Sequence, residues 1–383
     1  MSEKTIFLLF LLLLLPALNV RSAKTVSASR TWGVDDDGPA DFHTVQEGVD
    51  AASVGDIVFV RSGIYFEHVS VTKSISLVGE NPFDTIIDAQ VRSISVIYVE
   101  ADNVTIRNFA LRNSAGSGFE FYTGGGIYLY SSHGCDIENC IVINNAKGVN
   151  VYGSDYNNIS NNLVTRNTLG IAVWNSSNND LVKGNWVLNN SENGDGMIIA
   201  PSAKNITILE NLFCNNSLFI NGPDPGLIWS SASGIIVHNS FMRDAIIKID
   251  YYCGPGEPQP NVAWSKDGEG NFWIDYSGQD TNEDGLGDTP YLIPYVSENF
   301  TLMYENNNDS FPLMKPYQWI MGDVNYDAVV NILDIFTIAK AYDSRPNDAS
   351  WNPRCDLNND SVIDILDMFE AASRFGERMI WLP

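Results

Sequence analysis

The sequence predicts a mostly β protein, built as a parallel β-solenoid and followed by a small helical domain with two acidic loops. Two observations carry this prediction. Short apolar strands separated by Gly and Asn return about every 22 residues through the middle of the chain, which is the length of one solenoid coil. Near the C-terminus, an acidic loop followed by an apolar helical pattern occurs twice, with equivalent positions 33 residues apart.

Residues 1–22 are typical of a cleaved secretory signal. A leucine-dominated apolar stretch runs from Thr5 to Val20, behind Lys4 and ahead of Ala23. A retained membrane anchor is the alternative, although the apolar run is short for a membrane span. Since no later segment is apolar and long enough to cross a bilayer, we expect a secreted protein, extracellular or at the cell surface, with no membrane span after cleavage.

The chain is strongly acidic, with 383 residues, a formal net charge of -25 and an isoelectric point near 4.3. Such a surface repels nucleic-acid phosphates and anionic lipids, and no basic patch interrupts it. The composition therefore argues against nucleic acid as a partner and favours cations and neutral glycans. Nine Asn-x-Ser/Thr sequons are compatible with glycosylation after export, although Asn is abundant in this chain for a structural reason as well.

The cysteines give neither a disulfide framework nor a zinc site. There are five of them, an odd number, and none stands in a CxxC spacing. Cys135 and Cys140 could meet across a turn, and buried free thiols are the alternative.

The start of the solenoid carries its own cap. An amphipathic helical pattern at residues 42–52 is placed to cover the open end of the first coil, which otherwise exposes core and an unpaired edge. Strand patterns follow at residues 56–60, 63–67 and 74–78.

One phrase then recurs, a Gly followed by alternating apolar residues and an aromatic or small residue. It begins at Gly126, Gly148, Gly170 and Gly196, with spacings of 22, 22 and 26. Asn residues stand between the copies, where they tolerate left-handed backbone and can hydrogen-bond along the stack of coils. This period is too short for a strand-helix unit and fits a solenoid coil.

The cap, a Gly-Asp-x-Val-x-Val segment from Gly55, a Gly-x-Tyr-x-Glu segment from Gly63 and the Asn/Gly coils together resemble the β-helix family that includes NosD-type proteins and, more distantly, pectin-active enzymes. The resemblance covers about residues 30–315 and implies a right-handed, single-stranded parallel β-helix. We assign it residues 23–316. A leucine-rich-repeat horseshoe is the structural rival, but its leucine-to-asparagine spacing is absent.

An acidic block near the end of the solenoid is a candidate for a third calcium site. It sets side-chain oxygens around Gly285 at alternating positions: Asp280, Asn282, Asp284 and Asp288. A plain acidic turn is the alternative, because no helical pattern follows to brace the loop.

The phrase also predicts an aromatic ladder. Alternation points its apolar residues inward, so Tyr130, Tyr152 and Trp174 should stand outside, one above another, about 4.8 Å apart per coil. We take these three as candidate substrate-binding residues, because sugar rings pack on aromatic faces. The alternative is a ladder that only stiffens the solenoid.

No catalytic residue can be assigned. The charged candidates of successive coils are Asp136, Glu138, Asp155, Asp180, Lys147, Arg166 and Lys183. Each is more often a solvated charge, although β-helix enzymes act through such groups when they align on one face. The four histidines are scattered and no Met/His/Cys cluster exists, so the sequence gives no support for a copper site.

The two C-terminal loops place oxygen side chains at positions one, three, five, nine and twelve of a 12-residue loop. Each runs into an apolar helical pattern. This duplicated half EF-hand, closed by Asp, resembles the dockerin domain of cellulosome-type assemblies over about residues 321–376. We assign the domain residues 317–383; the alternative, a solvated acidic tail, does not explain helices repeated in phase.

The resemblance implies Ca²⁺ as cofactor and a cohesin-type domain as partner. It assigns these side chains as calcium ligands: Asp323, Asn325, Asp327, Asn331, Asp334, Asp356, Asn358, Asp360, Asp364 and Asp367. Ala328 and Ser361 depart from the pattern, since Gly normally takes this sharp turn and a Cβ at positive φ costs about 1 kcal/mol.

Two functional hypotheses follow. In the first, a secreted β-helix binds or processes extracellular polysaccharide, as a glycan binder or as a lyase or hydrolase, and docks through calcium onto a cohesin. In the second, the solenoid is a non-catalytic spacer or adhesin that the dockerin-like end attaches to a cell-surface layer.

Overall fold

The computed structural model describes residues 29–377, except for 116–123, 191–195, 200–202, 215, 217–227, 230–232, 243–248, 251–260, 283, 294, 297–301, 304–307, 318–319, 326–328, 347, 349 and 359. The predicted signal peptide therefore lies outside the described residues, as do Cys253, Asp327 and Ala328. Among the described residues, no helix combines the length and the apolar character that a membrane crossing requires.

Three long sheets form the faces of a parallel β-solenoid, and successive strands of the chain visit them in turn. Across the described residues, sheet A holds ten strands: β1 (Thr31–Val34), β2 (Ile57–Val60), β5 (Ser76–Gly79), β8 (Thr105–Arg107), β11 (Asp136–Glu138), β14 (Asn158–Ser160), β17 (Leu181–Lys183), β20 (Ile206–Leu209), β23 (Ser233–Val237) and β26 (Asn261–Ala263). Neighbours in this sheet are parallel, so each coil contributes one strand.

Sheet B, within the same ranges, holds nine parallel strands: β3 (Gly63–Tyr65), β6 (Thr85–Arg92), β9 (Ala110–Ser114), β12 (Ile141–Ile143), β15 (Leu163–Thr165), β18 (Trp186–Leu188), β21 (Leu212–Cys214), β24 (Ser240–Met242) and β27 (Phe272–Trp273). Sheet C holds β4 (Val69–Val71), β7 (Ile97–Val99), β10 (Ile127–Tyr130), β13 (Lys147–Tyr152), β16 (Leu169–Trp174), β19 (Met197–Ile199), β22 (Ile228–Trp229), β25 (Ile249–Asp250), β29 (Tyr295–Val296) and β30 (Leu302–Met303). The last pair of sheet C is antiparallel, and so is a small ribbon of β28 (Tyr291–Leu292) and β31 (Asn308–Asp309).

The predicted cap is helix α1 (Val45–Ala51), which closes the first coil. Thr44 caps it by accepting a hydrogen bond from the Glu47 N–H, as an N-cap hydroxyl does. At Gly48 a Cβ would stand 2.8 Å from Val34 Cγ2 and 2.9 Å from Val58 Cγ1. The close approach of the helix to the first strands therefore requires Gly at this position.

The Asn-rich corners divide two tasks between adjacent residues. Asn144, Asn161 and Asn189 adopt left-handed backbone, with φ of 56°, 55° and 54°. The Asn that follows each of them is buried and bonded along the stack. In one such ladder, each backbone N–H donates a hydrogen bond to the side-chain oxygen of the equivalent residue in the next coil. The ladder runs through Asn162, Asn185, Asn211, Asn239 and Asn271 and ends on the carboxylate of Asp309.

Each rung of this ladder satisfies a whole amide. Asn185 Nδ2 donates to the Ile159 carbonyl at 2.7 Å and to Asn211 Oδ1 at 3.0 Å. Its Oδ1 accepts from the N–H and the Nδ2 of Asn162, both at 3.0 Å. Since buried amides are costly when unpaired, the ladder specifies the register of the coils.

A separate small core holds the C-terminal helices α2 (Ile332–Lys340) and α3 (Ile365–Ser373). Val324, Ile338, Leu357 and Ile363 are among its buried residues. A short 3₁₀ turn, Pro353–Cys355, precedes the second loop. Both helices begin with a capping box, so the two halves of the predicted duplication share one local structure.

The segment between the solenoid and this small core follows the outside of sheet B. Leu313 N–H donates to the Asn271 carbonyl at 2.8 Å, and Tyr317 N–H donates to Ser240 Oγ at 3.0 Å. The Tyr317 ring stacks on His238 with centroids 4.7 Å apart. This connecting segment is therefore packed against the solenoid rather than extended into solvent. Of the cysteines in the described ranges, Cys135 and Cys140 are buried free thiols.

Candidate calcium sites and aromatic face

The second C-terminal loop is organised around its first and last acidic residues. Asp356 Oδ1 accepts from the Asp360 N–H at 3.1 Å, and its Oδ2 accepts from the Ser361 N–H at 2.9 Å. Asp367 closes the loop, because its Oδ1 accepts from the Leu357 N–H at 2.7 Å. These bonds fold the backbone around the acidic side chains.

The buried carboxylates of this loop repel one another electrostatically. Asp367 is 0% exposed and Asp356 is 8% exposed. Burial raises the pKa of the Asp356 carboxyl, and the nearby charges of Asp367 and Asp360 act in the same direction. Several like charges drawn into one loop are stabilised by a cation, and carboxylate and amide oxygens are the ligands that Ca²⁺ prefers.

The first loop repeats the arrangement where it is described. Asp334 is 0% exposed; its Oδ1 accepts from the Val324 N–H at 2.9 Å and its Oδ2 from the Asn331 N–H at 2.8 Å. Asp323 is also buried. The predicted ligand Asp327 lies outside the described residues.

Two predicted ligands have a structural task as well. Asn331 caps α2 by accepting from the Leu333 N–H, and Asp364 caps α3 by accepting from the Leu366 N–H, both at 2.7 Å. The residues at the end of each loop are therefore also the cap and first turn of the helix that follows. Because they are shared, the folding of the loop and the folding of the helix are coupled. The predicted ligands Asn325 and Asn358 take part through their backbone N–H groups, which donate to Asp334 and Asp367.

The acidic block at the end of the solenoid has the same backbone fold as the second loop. Asp280 Oδ1 accepts from the Asp284 N–H at 3.1 Å and its Oδ2 from the Gly285 N–H at 2.9 Å, matching the two bonds of Asp356. Asn282 Nδ2 donates to Asp284 Oδ2 at 3.0 Å, as Asn358 does to Asp360. Gly285 has a φ of 86°, at the position where the second loop has Ser361 with a φ of 64°.

The fourth candidate of this block, Asp288, is held differently. Its Oδ2 accepts from both the hydroxyl and the N–H of Thr281, at 2.7 and 2.9 Å. These bonds, the side-chain bond foremost, lower the pKa of the Asp288 carboxyl. The lowered pKa favours the ionised form of Asp288, which its predicted role as a calcium ligand requires.

The aromatic ladder forms on sheet C in the predicted register, where Tyr130, Tyr152 and Trp174 are consecutive partners. The Tyr130 and Tyr152 rings stack with centroids 5.8 Å apart and planes 10° apart. Tyr98 extends the stack by one coil, 6.2 Å from Tyr130. Tyr130 and Tyr152 are partly exposed.

The expected exposure of Trp174 needs correction. Its side chain is 5% exposed and packs in a cluster with Leu169, Ala172 and Ile198, outside the main core. Alternation places it on the outer side of the coil, as predicted, but the neighbouring apolar side chains cover it. Only the tyrosines of the three candidates offer ring surface to a ligand.

The charged candidates divide between faces: Asp136, Glu138 and Lys183 share sheet A, where Glu138 and Lys183 occupy the same register position two coils apart. Asp136 and Glu138 are exposed on sheet A, whereas Lys147 lies on sheet C. Lys183 pairs with Glu210 at 3.3 Å. Asp180 is 1% exposed within a corner ladder, where its Oδ1 accepts from the Asn157 N–H at 2.8 Å. Burial raises the pKa of Asp180 to about 7, against the lowering effect of its bonds to Asn157.

Sequence reasoning missed Asn150, a buried polar residue on the outside of sheet C, and did not predict the burial of the candidate Lys147; both side chains are 0% exposed. A signal for Asn150 was available: in the other copies of the recurring phrase its place is taken by Tyr128, Ala172 and Ile198. The acidic end of the long Asn ladder, Asp309, had no such signal, because 38 residues separate it from Asn271.

Two family models match the chain. Residues 46–278 match the family described as periplasmic copper-binding protein (NosD), and residues 321–370 match the dockerin type I domain. The first match covers most of the solenoid, and the second contains all ten predicted ligands of the two C-terminal loops.

Curated relatives match short parts of the chain. A probable ABC transporter binding protein NosD of Pseudomonas aeruginosa is 37% identical over 103 residues, which is 26% of this chain and 22% of that protein. Probable pectinesterase 67 of Arabidopsis thaliana is 31% identical over 108 residues, which is 25% of this chain and 31% of that protein. The chain thus spans less than a third of the length of these relatives.

Solved structures with some likeness include a pectin methylesterase in complex with a hexasaccharide, at a TM-score of 0.41 and 12% identity, covering 62% of this chain and 82% of that one. The pectin methylesterase PemA of Erwinia chrysanthemi has a TM-score of 0.38 and 12% identity, covering 62% and 81%. Likeness at this level carries no functional argument.

Among the described residues, no cluster of His and Cys side chains fits a copper site. Within the described part of the chain, Asp35, Asp36 and Asp37 form the one group of three or more His, Cys, Asp or Glu side chains whose ligand atoms lie within 4.8 Å of one another. Copper favours His, Cys and Met donors, and this group has none.

Proposed function

This chain belongs to the NosD family of β-helix proteins, and on that premise we propose that it is a secreted, carbohydrate-associated component of a larger assembly. Its dockerin domain attaches it through calcium to a cohesin-type domain, and its solenoid binds an extracellular glycan. The duplicated acidic loop with its exposed helix face is the observation that carries this proposal.

The docking half is supported by apolar side chains that the small domain leaves in solvent. On α2, Ile332, Leu333 and Phe336 are 65%, 56% and 58% exposed. The equivalent positions of α3, Ile365, Leu366 and Phe369, are 60%, 56% and 71% exposed. Repeated apolar surface of this kind is typical of a protein interface. Both helices therefore offer a docking face to the partner.

We propose that calcium binding fixes the arrangement of the two helices that form this docking face. The side chains that cap α2 and α3 belong to the loops, and the carboxylates that close the loops are buried. A cation between the carboxylates stabilises the loop, and the loop fixes the start of the helix. The block from Asp280 to Asp288 is proposed as a third calcium site, because its bonds repeat those of the second loop.

The docking proposal is tested with an immobilised type I cohesin domain and the full chain. We expect calcium-dependent capture that is lost in EGTA. Replacing Leu333 and Leu366 together by Asp should abolish capture while leaving calcium uptake intact, since neither side chain is a proposed ligand. Val54→Asp is the matched control, because Val54 is an apolar side chain 73% exposed on the solenoid. Capture that survives the double change would contradict the proposed face.

The glycan half is supported by the stacked tyrosines on sheet C, which present a continuous ring surface across coils. Affinity electrophoresis of the chain in gels that contain xylan, galactomannan or polygalacturonate measures binding directly. We expect retardation by at least one glycan that Tyr152→Ala reduces. Phe66→Ala serves as control, since Phe66 is a 59% exposed aromatic residue outside the strands that carry this ladder.

A spacer or adhesin function is the second candidate, favoured by the burial of Trp174 and by the continuous ladders, which stiffen the solenoid. It predicts cohesin capture without retardation by any glycan. Release of reducing ends or unsaturated products from these polysaccharides would instead indicate an enzyme.

A further inference from the structure

The outer face of sheet C holds an amide that the fold does not use. Asn150 stands between Val149 and Val151, which both lie in the core, so its side chain points outward. It is 0% exposed, and neither Nδ2 nor Oδ1 finds a hydrogen-bond partner in the described part of the chain. Burying unpaired amide atoms destabilises a fold, so such a group needs an explanation.

The ladder amides show how unusual Asn150 is. Asn162, equally buried, donates from Nδ2 to the Ile137 carbonyl and to Asn185 Oδ1, both at 3.0 Å, and its Oδ1 accepts from the Cys140 N–H at 2.9 Å. In this ladder the amide is fully paired. Asn150 is therefore not a structural rung.

The surroundings of Asn150 combine aromatic rings with small residues. Tyr128 and Ala172 are its register partners on the two adjacent coils. A Cβ on Gly125 would lie 3.7 Å from the Asn150 Cβ. Tyr152 stands two positions further along the same strand, on the same face, and is partly exposed. The polar amide of Asn150 thus lies among tyrosine rings and beside small residues, Gly125 and Ala172.

We propose that Asn150 is the polar anchor of a subsite for one neutral pyranose residue of the bound glycan. The proposal rests on glycan binding by sheet C and adds the class of sugar and the residue that selects it. An amide offers one acceptor and one donor group side by side, which is the complement of two adjacent sugar hydroxyls.

The other features of the face agree with this ligand. The apolar side of a sugar ring packs on an aromatic face, and the partly exposed Tyr152 stands beside the amide on the same face, whereas its register partner Tyr128 is 5% exposed. A uronate is disfavoured because the chain carries a formal net charge of -25, which repels an acidic polymer. Since Asn150 is covered, binding requires neighbouring side chains to turn aside, and the partly exposed Tyr152 indicates the side from which a sugar reaches the amide.

The test compares stability and binding in the same variants of the full chain. Asn150→Leu is nearly isosteric and removes both unpaired atoms, and Asn150→Ala guards against overpacking. We expect either change to leave Tm unchanged or to raise it by a few degrees, and to weaken retardation in galactomannan gels by at least about tenfold. Asn162→Leu is the matched control and should lower Tm, because it breaks a paired ladder.

Each other result has a defined meaning. Wild-type retardation that both Asn150 variants retain overturns the subsite but leaves glycan binding intact. Retardation by polygalacturonate alone overturns the sugar class. No retardation of the wild-type chain by any of these glycans overturns glycan binding itself, and a fall in Tm equal to that of Asn162→Leu shows that Asn150 is structural.

Discussion

The solenoid and the C-terminal helical domain differ in the kind of polar side chain that each mainly buries. The solenoid buries mainly uncharged amides that satisfy one another from coil to coil, as Asn162 and Asn185 do, with single carboxylates such as Asp180 at ladder positions. The helical domain buries carboxylates, with Asp334 and Asp367 both 0% exposed. An amide ladder is complete within the chain, whereas converging carboxylates need a cation. From this difference we expect a scaffold that is ordered without metal and a helical domain whose order depends on calcium.

The greatest expected difference between the regions is their response to calcium removal. Each C-terminal helix has nine residues, too short to be stable without tertiary support, and each begins at a loop residue. Scanning calorimetry should show two transitions in calcium, of which the smaller disappears in EGTA while the larger is unchanged. A single transition that ignores EGTA would place the helical domain in the same class as the solenoid.

Asn185→Ala should produce the greatest loss in the solenoid. The change removes a rung that donates to the Ile159 carbonyl and accepts twice from Asn162, leaving buried partners unpaired. We expect the free energy of unfolding to fall by about 3–5 kcal/mol in urea, independently of calcium. Asn175→Gly is the control, since Asn175 is exposed with a φ of 52° and should be nearly neutral.

Asp180 tests whether a carboxyl in a ladder behaves as an amide. Burial raises its pKa to about 7, well above its unfolded value, so the fold favours the protonated form and its stabilisation is lost as the pH rises from about 4 through 7. At pH 8, Asp180→Asn should therefore be more stable than the wild type by about 2–4 kcal/mol.

The gain from Asp180→Asn should shrink toward pH 4, where both side chains are neutral. Urea midpoints of the two proteins at pH 4, 6 and 8 measure the trend, and the difference between them isolates Asp180 from other titrating groups. A gain that is equal at all three values would mean that Asp180 does not titrate in this range.

The smallest expected effect lies in the turn of the second calcium loop. Ser361 has a φ of 64°, so Ser361→Gly should relieve about 1 kcal/mol of backbone strain and tighten calcium binding about fivefold. Gly285→Ala is the reciprocal change: its φ is 86° and no atom lies within 4 Å of the added Cβ, so only strain opposes it. Calorimetric titration should show the two changes acting on different sites in opposite directions.

The solenoid and the helical domain could both be predicted from the sequence, because the motifs of each recur at fixed spacings. The Gly-led phrase gave the coils, and the family match at residues 46–278 agrees with it. The dockerin-like duplication was equally local, and the match at residues 321–370 agrees. The role of each calcium ligand stays a prediction, since the carboxylate spacing alone does not demonstrate an ion.

What the sequence could not give depends on contacts across coils. Trp174 has the outward parity that alternation predicts, yet its exposure is decided by Leu169 and Ile198 on the same face. The polar sequence around Asp180 predicts a surface charge. In the structure, however, Asp180 is buried in a ladder, where it accepts a hydrogen bond from the Asn157 N–H. Asp309 ends the longest ladder from a distant segment, which no local period connects to Asn271.

Hydrogen exchange of the full chain, with calcium and with EGTA, tests the central claim most directly because it resolves both regions in one sample. We predict that backbone amides of residues 323–376 lose protection in EGTA, while those of sheet C from residue 127 to 174 keep theirs. Equal protection of the C-terminal loops in both conditions, or a loss shared by the solenoid, would contradict the division between a self-sufficient scaffold and a calcium-ordered docking domain.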